Sequence, residues 1–402
     1  MLKKVISAAL VLCLLMVCLC GCETYDNFIN AFFPEKNPVV EIPVEDTVKI
    51  GVFEPLSGDD AEGAAEEIRG IELAHELYPT VLGKEVELIY ADNESSDSVA
   101  VDAAKELVGQ GVSVVLGSYR NVLSLAGADV FCEARTPAIA ITCTNPLITQ
   151  SNNYYCRACF IDADQGQTAA IYGITKLSKN WFTVFYKEGD DYAASLADQF
   201  CEEVAGRLGN SYSVATVTFP ENTEDFSLYL QKLSVIRTGP IFFPSDSELG
   251  QEVIYQAAQL GYDFDWIGTS KWLDIADHSA SLQRDTAFLE GVAFVADYSA
   301  DATLGEMTEI FRQAYAEKYG SDAVPGKNVA LGFDAYLLAL EGIEEAGSAT
   351  AGTLISNKLC HIKGFAAATG TITMGPKGDP TKDVVIDIVK DGAVCAGYTV
   401  TR

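Results

Sequence analysis

The sequence predicts an α/β chain of two lobes, each built on a doubly wound parallel sheet, joined by a hinge of three segments. Short, nearly continuous apolar runs alternate with amphipathic helical patterns, as strands covered on both faces and their crossover helices require. The alternation runs from residue 48 to 146 and starts again at 165. A chain of 402 residues also exceeds what one core ordinarily holds, so two lobes are expected.

Residues 1–21 read as a signal peptide, since Lys3 and Lys4 precede an apolar run, 5–19, that is short for a membrane span. Leu19-Cys20-Gly21-Cys22 resembles a bacterial lipobox, which makes Cys22 the expected lipid-bearing residue and the chain an extracytoplasmic, membrane-anchored lipoprotein. Residues 22–46, with Pro34, Pro38, Pro43 and several acids, read as a tether.

The first lobe then opens with a strand at 48–53, a loop rich in Pro, Ser, Gly and Asp, and a helix at 64–77. A strand at 85–91 and a helix at 98–109 follow. The unit 112–146 is the clearest: strand 112–117, a polar break at 118–121, helix 122–134, strand 137–141 and the polar end Thr142-Cys143-Thr144-Asn145. Beyond the hinge come helix 165–176, strand 181–186, helix 193–208, strand 213–219, helix 225–235 and strand 240–243. Helix 249–260 and strands 264–268 and 291–296 complete the second sheet. Helices at 306–318 and 329–345 have no strand between them and are expected to cover the first lobe. Strands at 370–374, 384–390 and 394–399 end the chain, with a turn at 375–380. The expected division is 47–161 plus 294–347 for lobe 1, and 162–293 plus 348–402 for lobe 2.

The formal charge of −30 sets 57 acidic residues against 27 basic ones, which argues against nucleic acid or anionic lipid as a partner. Of the 11 cysteines, those at 13, 18, 20 and 22 belong to the leader. Cys132, Cys143, Cys156, Cys159, Cys201, Cys360 and Cys395 remain, an odd number that leaves at least one unpaired in a monomer. Cys156 and Cys159 form a lone C-x-x-C inside the β-like run YYCRACF, where residues three apart point to opposite faces, so neither metal nor cofactor is expected.

In open parallel sheets small ligands bind beyond the carboxyl ends of the strands, which brings the breaks at 118–121 and 142–145 side by side at a mouth. The segments KIGVFEPLSG, LGSYRNVLSLAGADVF, TPAIAITCTNPLIT, EGDDYAASLADQF and TEDFSLYLQKL, in this order, resemble the extracellular solute-binding proteins of branched-chain amino-acid ABC transporters. These are the leucine-binding-like, type I periplasmic binding proteins, and the resemblance covers residues 48–347.

The resemblance implies a set of ligand contacts. The loop that holds a ligand carboxylate falls on Tyr119 to Asn121, with Asn121 at the family's serine position. Contacts after the next strand fall on Thr142 and Thr144. The aromatic clamp of the second lobe falls on Tyr192, and a further contact on Ser245 and Asp246. The acid that pairs with a ligand ammonium falls on Ser270, which cannot neutralise it. Asp246 or Asp274 could supply that charge; otherwise the solute is a carboxylate, amide or other small polar molecule.

The expected mechanism is binding without bond-making: Asn121, Thr142 and Thr144 hold the solute, Tyr192 and Asp246 close over it, and the closed form docks on an ABC permease. A sensing module that presents its ligand to a receptor would use the same lobes. An enzyme has little support, since His75, His278 and His361 lie in separate contexts and no G-x-S-x-G, H-E-x-x-H or phosphate-cradling glycine motif occurs.

Overall fold

A computed structural model describes residues 47–236, 239–302 and 304–400; the expected signal peptide, tether and Cys22 lie outside the described residues. Strands β1 (Thr47–Glu54), β2 (Thr80–Val81), β3 (Lys84–Asp92), β4 (Val114–Gly117), β5 (Ala138–Ala140) and β6 (Tyr155–Arg157) make one sheet in the order β2-β3-β1-β4-β5-β6. Only β2 runs antiparallel to its neighbour. Helices α1 (Ala61–Leu77), α2 (Asp97–Gly109) and α3 (Asn121–Ala134) are its crossovers. Ile50, Val52, Phe53, Val114, Val115 and Leu116 are buried, as strands covered on both faces must be.

The second half supplies α4 (Asp162–Thr175), β7 (Trp181–Lys187), α5 (Asp191–Leu208), β8 (Ser213–Phe219), α6 (Ser227–Val235), β9 (Ile241–Phe242) and α7 (Ser247–Gln259). It continues with β10 (Trp266–Gly268), α8 (Ile275–Ser281) and β11 (Ala293–Ala296). After α9 (Glu306–Tyr319), α10 (Lys327–Ala346) and α11 (Gly352–Leu359) come β12 (Phe365–Ala367), β13 (Gly370–Met374), β14 (Pro380–Lys382), β15 (Val384–Lys390) and β16 (Ala393–Val400). The second sheet has the order β16-β15-β11-β10-β9-β7-β8, parallel from β11 to β8 and antiparallel at β15 and β16. The chain passes from the first sheet to the second after β6, leaves the second after β11 for α9 to α11 and a separate antiparallel sheet, β12-β13-β14, and re-enters the second at β15.

Two expected boundaries are corrected. Strand β11 carries Phe294 to Ala296 into the second sheet, so the second passage falls after Ala296, not at 293. The whole of 348–402 was expected in the second lobe, yet Ile355, Leu359, Ala367, Ile372 and Met374 are buried in the same cluster as Ile50, Val52 and Ile71. A polar lock explains this. Asp334, buried on α10, accepts from the amides of Ala368 (2.6 Å) and Thr369 (3.1 Å) and from the Thr369 hydroxyl (2.5 Å), to which Lys382 Nζ donates at 2.6 Å. Only β15 and β16 reach the second sheet.

Helix α10 approaches α1 at two glycines. A Cβ on Gly70 would stand 2.0 Å from the Val329 carbonyl oxygen, and one on Gly332 would stand 2.2 Å from that of Glu67. This approach fixes α1 in place and thereby the side chain of Glu67.

Candidate functional site

Strands β1, β4 and β5 run in the same direction, so their carboxyl ends form one edge. Glu54, the last residue of β1, is fully buried there. Gly117 makes room for it: its φ is +112°, and a Cβ would stand 2.3 Å from both Glu54 Oε1 and the Phe53 carbonyl oxygen. Glu54 Oε2 accepts from the Tyr119 amide at 2.7 Å. Glu67, also fully buried, arrives from α1 and accepts from the Thr142 hydroxyl at 2.5 Å.

The two side chains lie close enough for each to act on the titration of the other. The remaining oxygens, Glu54 Oε1 and Glu67 Oε2, have no other protein partner. Burial holds both groups above the usual carboxylate range, and the Glu67 charge adds to the effect on Glu54.

The loops beside them are braced by buried polar groups. Ser118 donates its amide to Ser124 Oγ (3.0 Å) and accepts from Asn93 Nδ2 (2.8 Å). Asn121 begins α3, and its Oδ1 accepts from the Asn145 amide at 3.2 Å. Arg157, fully buried at the end of β6, donates to the carbonyls of Cys143 (2.7 Å) and Asn145 (3.0 Å) and to Thr149 Oγ1 (3.0 Å), and its Nε lies 2.8 Å from Asp379 Oδ1. The loop that carries Thr142 and Thr144 is therefore tied from behind.

At the second edge Tyr192 stands in the first turn of α5, whose start is capped by Asp190 accepting from the Ala193 amide at 2.9 Å. The Tyr192 hydroxyl accepts from Gln165 Nε2 at 3.1 Å, and Lys271 Nζ lies 4.0 Å from its ring centroid. Gln165 Oε1 accepts from the Ser270 amide at 2.9 Å, and its Nε2 also reaches Asp162 Oδ1 at 3.3 Å. Ser245 is buried and accepts from Trp272 Nε1 at 3.2 Å. Asp246 is exposed and accepts from the Leu249 amide at 2.8 Å, which makes it the N-cap of α7. Asp274 is exposed just before α8.

Asp162 joins the two edges. Its amide donates to the Thr144 carbonyl at 3.4 Å and it lies near Lys271; burial raises its pKa, while Thr144 and Lys271 act in the opposite sense. Tyr119, Asn121, Thr142 and Thr144 thus gather at the first edge. Tyr192 and Ser270 connect to them through Gln165 and Asp162, whereas Ser245 and Asp246 hold Trp272 and α7. Sequence reasoning missed Glu54, Glu67, Arg157, Asp162, Gln165 and Lys271. Arg157 had a signal, a single cation inside an apolar β run. The histidines are occupied elsewhere: His75 contacts Tyr336 Oη at 3.0 Å, His361 contacts the Asn357 carbonyl at 2.6 Å and His278 lies in the last turn of α8.

The sequence pattern described as periplasmic binding protein matches residues 47–392. Leu/Ile/Val-binding protein homolog 3 of Brucella melitensis is 27% identical over 349 residues, covering 83% of this chain and 88% of that protein. Leu/Ile/Val-binding protein BraC3 of Rhizobium johnstonii is 25% identical over 345 residues, covering 83% and 89%. Among solved structures, a leucine binding protein from Thermotoga maritima shares 30% identity and a TM-score of 0.67, covering 88% of this chain and 99% of that one. A putative branched-chain amino acid ABC transporter protein from Rhodospirillum rubrum shares the fold with a TM-score of 0.76 at 20% identity, covering 87% and 100%.

Proposed function

The chain belongs to the periplasmic binding protein family, and from that premise we propose that it captures a small polar solute, an amino acid or a close relative of one, and delivers it to an ABC permease. The observation that carries this reading is the bridge Thr144–Asp162–Gln165–Tyr192. Through the Asp162 amide on the Thr144 carbonyl and the Asp162 carboxylate on Gln165, it links the carboxyl edge of one sheet to that of the other across the first passage of the chain. Open parallel sheets bind ligands at such edges. The names of the Brucella, Rhizobium and Thermotoga relatives speak for leucine, isoleucine or valine as the kind of solute.

On this reading the lobes are 47–157 with 304–382, and 162–296 with 384–400. Tyr119, Asn121, Thr142 and Thr144 meet the solute from the first lobe, and Tyr192 and Ser270 meet it from the second. Contacts made only when the lobes close bias the hinge toward the closed form, which the permease recognises. A lipid on Cys22 would keep the protein at the outer face of the cell membrane, where diffusion to the permease is confined to a surface.

A thermal-shift screen of residues 47–402 against the amino acids, their amides and small carboxylates tests the reading. A solute at about 100 times its Kd adds ~2.7 kcal/mol to stability. At least one amino acid is expected to stabilise the protein, with the effect lost in Thr144→Val. No stabilisation by any of them would refute it.

A further inference from the structure

A free sheet edge offers amides and carbonyls that another strand can join, and folded proteins guard such edges with short strands, charges, bulges or a covering loop. The edges of the two large sheets are guarded unequally. At the first sheet β2 has only 2 residues, and beyond it β3 carries Glu87 and Asp92. At that sheet's other edge the Gly378 carbonyl accepts from the Arg157 amide at 3.0 Å, so the turn at 375–379 covers β6. At the second sheet the register of β16 shifts opposite Ile386 and Asp387, and Asp301 Oδ1 accepts from the Ala396 amide at 2.9 Å.

Strand β8, at the far end of the second sheet, has none of these devices. Its sequence, SVATVTF, holds neither a charge nor a proline. Ser213 donates its amide to the Asn180 carbonyl at 3.0 Å, and the Phe219 carbonyl accepts from the Glu188 amide at 2.8 Å, so both ends of the strand bond toward β7. In a parallel ladder alternate residues bond to the same neighbour, which turns the amides and carbonyls of Val214, Thr216 and Thr218 to the open side. Among the described residues no group outside the strand pairs with them, and Thr216 is exposed. Apolar area lies close by on α6. Its Leu230 and Leu233 share a buried cluster with Val217 and Phe219 of β8, while its Leu228 and Val235 stand 75% and 77% exposed.

The two ends of the strand differ in charge. Lys179 is exposed beside Asn180, at the start, and forms no ion pair within 4.0 Å among the described residues. Just past Phe219 stand the exposed Glu221, which Lys187 reaches only at 3.9 Å, and Glu224.

We infer that β8 pairs with β8 of a second copy of this chain, antiparallel about a two-fold axis at Thr216. Thr216 then exchanges amide and carbonyl bonds with its own counterpart, and Val214 does so with Thr218 of the other copy. The Thr216 side chains meet across the axis, a favourable cross-strand pair. This sense brings Lys179 of each copy to the acidic end of the other, whereas parallel strands would set like ends together. The formal charge of −30 opposes association, but charges beyond about 8 Å are screened at physiological salt. Joining along an edge leaves the carboxyl ends of the strands open, so solute capture and self-association coexist.

Sedimentation equilibrium of native protein, Thr216→Pro and Thr216→Lys over a concentration series tests it, together with amide hydrogen exchange. A proline at 216 removes only an outward amide hydrogen and a lysine there is exposed, so both variants should keep the native circular dichroism and urea midpoint. Native protein should dimerise. Either substitution should weaken the dimer roughly tenfold or more, the first by removing a hydrogen bond from each copy, the second by setting like charges opposite each other. In the dimer the amides of Val214, Thr216 and Thr218 should exchange slowly and become fast on dilution, while those of Ala215 and Val217 stay slow throughout. Native protein that remains monomeric at every concentration overturns the inference. So does a dimer that either variant leaves as tight, or one in which the three outward amides stay fast. Protection of those amides by a different protein, with this chain alone monomeric, overturns self-pairing too and assigns the edge to a foreign strand.

Discussion

At the carboxyl edge of the first sheet, buried polar groups carry the support: Glu67 with Thr142, Arg157 with Asp379 and two carbonyls, Ser118 with Asn93. At the second edge the support is aromatic. Trp272 lies against Gly250 and Gly268, where a Cβ would come within 2.7 Å and 2.1 Å of its ring, and its edge meets Phe243. Exposed or half-buried side chains, Lys271, Tyr192 and Ser270, project from that packing. A preorganised polar seat resists rearrangement because each unmade bond in a low dielectric is costly. An edge carried on helix starts and a single turn of 3-10 helix at Ser270–Trp272 is easier to move as a unit. On the proposed reading, the contrast makes the first edge the fixed seat and the second the closing side.

The largest expected effect breaks the seat. Arg157→Met leaves Asp379 and the carbonyls of Cys143 and Asn145 without their partner, at a cost of about 3–5 kcal/mol. Urea unfolding should show that loss, and the Kd for L-leucine should rise with it, since the loop bearing Thr142 and Thr144 loses its anchor. Unchanged stability would mean that the seat is not held in this way.

Titration sharpens the comparison next. The carboxyls of Glu54 and Glu67 are raised by burial, and Asp387 on β15 is pushed up to about 7, also by burial. Groups raised in the folded state keep protons that the unfolded chain has released. Their stabilising contribution is therefore complete below the ordinary carboxylate range and lost as pH rises through the folded values. The groups facing the glutamate pair are Tyr119 and Cys143, with Glu66 on its own helix and Lys327 on α10; Lys327 opposes the shift and does not reverse it. Asp92 and Glu252, lowered by hydrogen bonds, act in the other direction but at more acid pH. Stability should accordingly fall between pH 5 and 7.5 by something on the order of 2 kcal/mol or more. Glu67→Gln should flatten the slope from the first lobe and Asp387→Asn from the second, each followed by denaturant midpoint against pH. A slope of the opposite sign would rule out raised carboxyls as the controlling groups.

The moving side is probed by Gln165→Ala, which leaves the Ser270 amide and the Tyr192 hydroxyl without their partner. Folding should lose about 1–2 kcal/mol, and the L-leucine off-rate should rise more than the on-rate falls, as expected of a group that acts in the closed form. Stopped-flow measurement separates the two.

Much of the fold was legible because the period of apolar residues is a local property: 48–53, 112–117 and 181–186 read as buried strands, and 193–208 as a helix, before any contact was known. The return segment was not legible. GTLISNKL has too little amphipathic length to announce α11, and the Asp334 lock that carries β12 to β14 to the first lobe spans more than thirty residues. The site divided in the same way. Strand ends located Thr142 and Thr144, but no pattern states where a hydroxyl sends its hydrogen, and Thr142 gives its own to Glu67. Glu54 looked like the start of a loop and Glu67 like one of several acids on an exposed helix; burial alone separates them from Glu62 and Glu66.

Asp246 gives the smallest effect and the sharpest contrast with Lys271, because both follow a strand of the second sheet and both carry a charge. The Asp246 carboxylate accepts from the Leu249 amide, and the residue is exposed. Its oxygen is thus committed to the first turn of α7, where an N-cap aspartate is worth roughly 1 kcal/mol. Asp246→Ala should lower stability by about that amount and leave L-leucine affinity within about twofold, while Asp246→Asn, which caps equally well, should change neither. If Asp246→Asn instead weakened L-leucine roughly tenfold or more, Asp246 would be a solute contact, and the division of labour between seat and closing side would have to be redrawn.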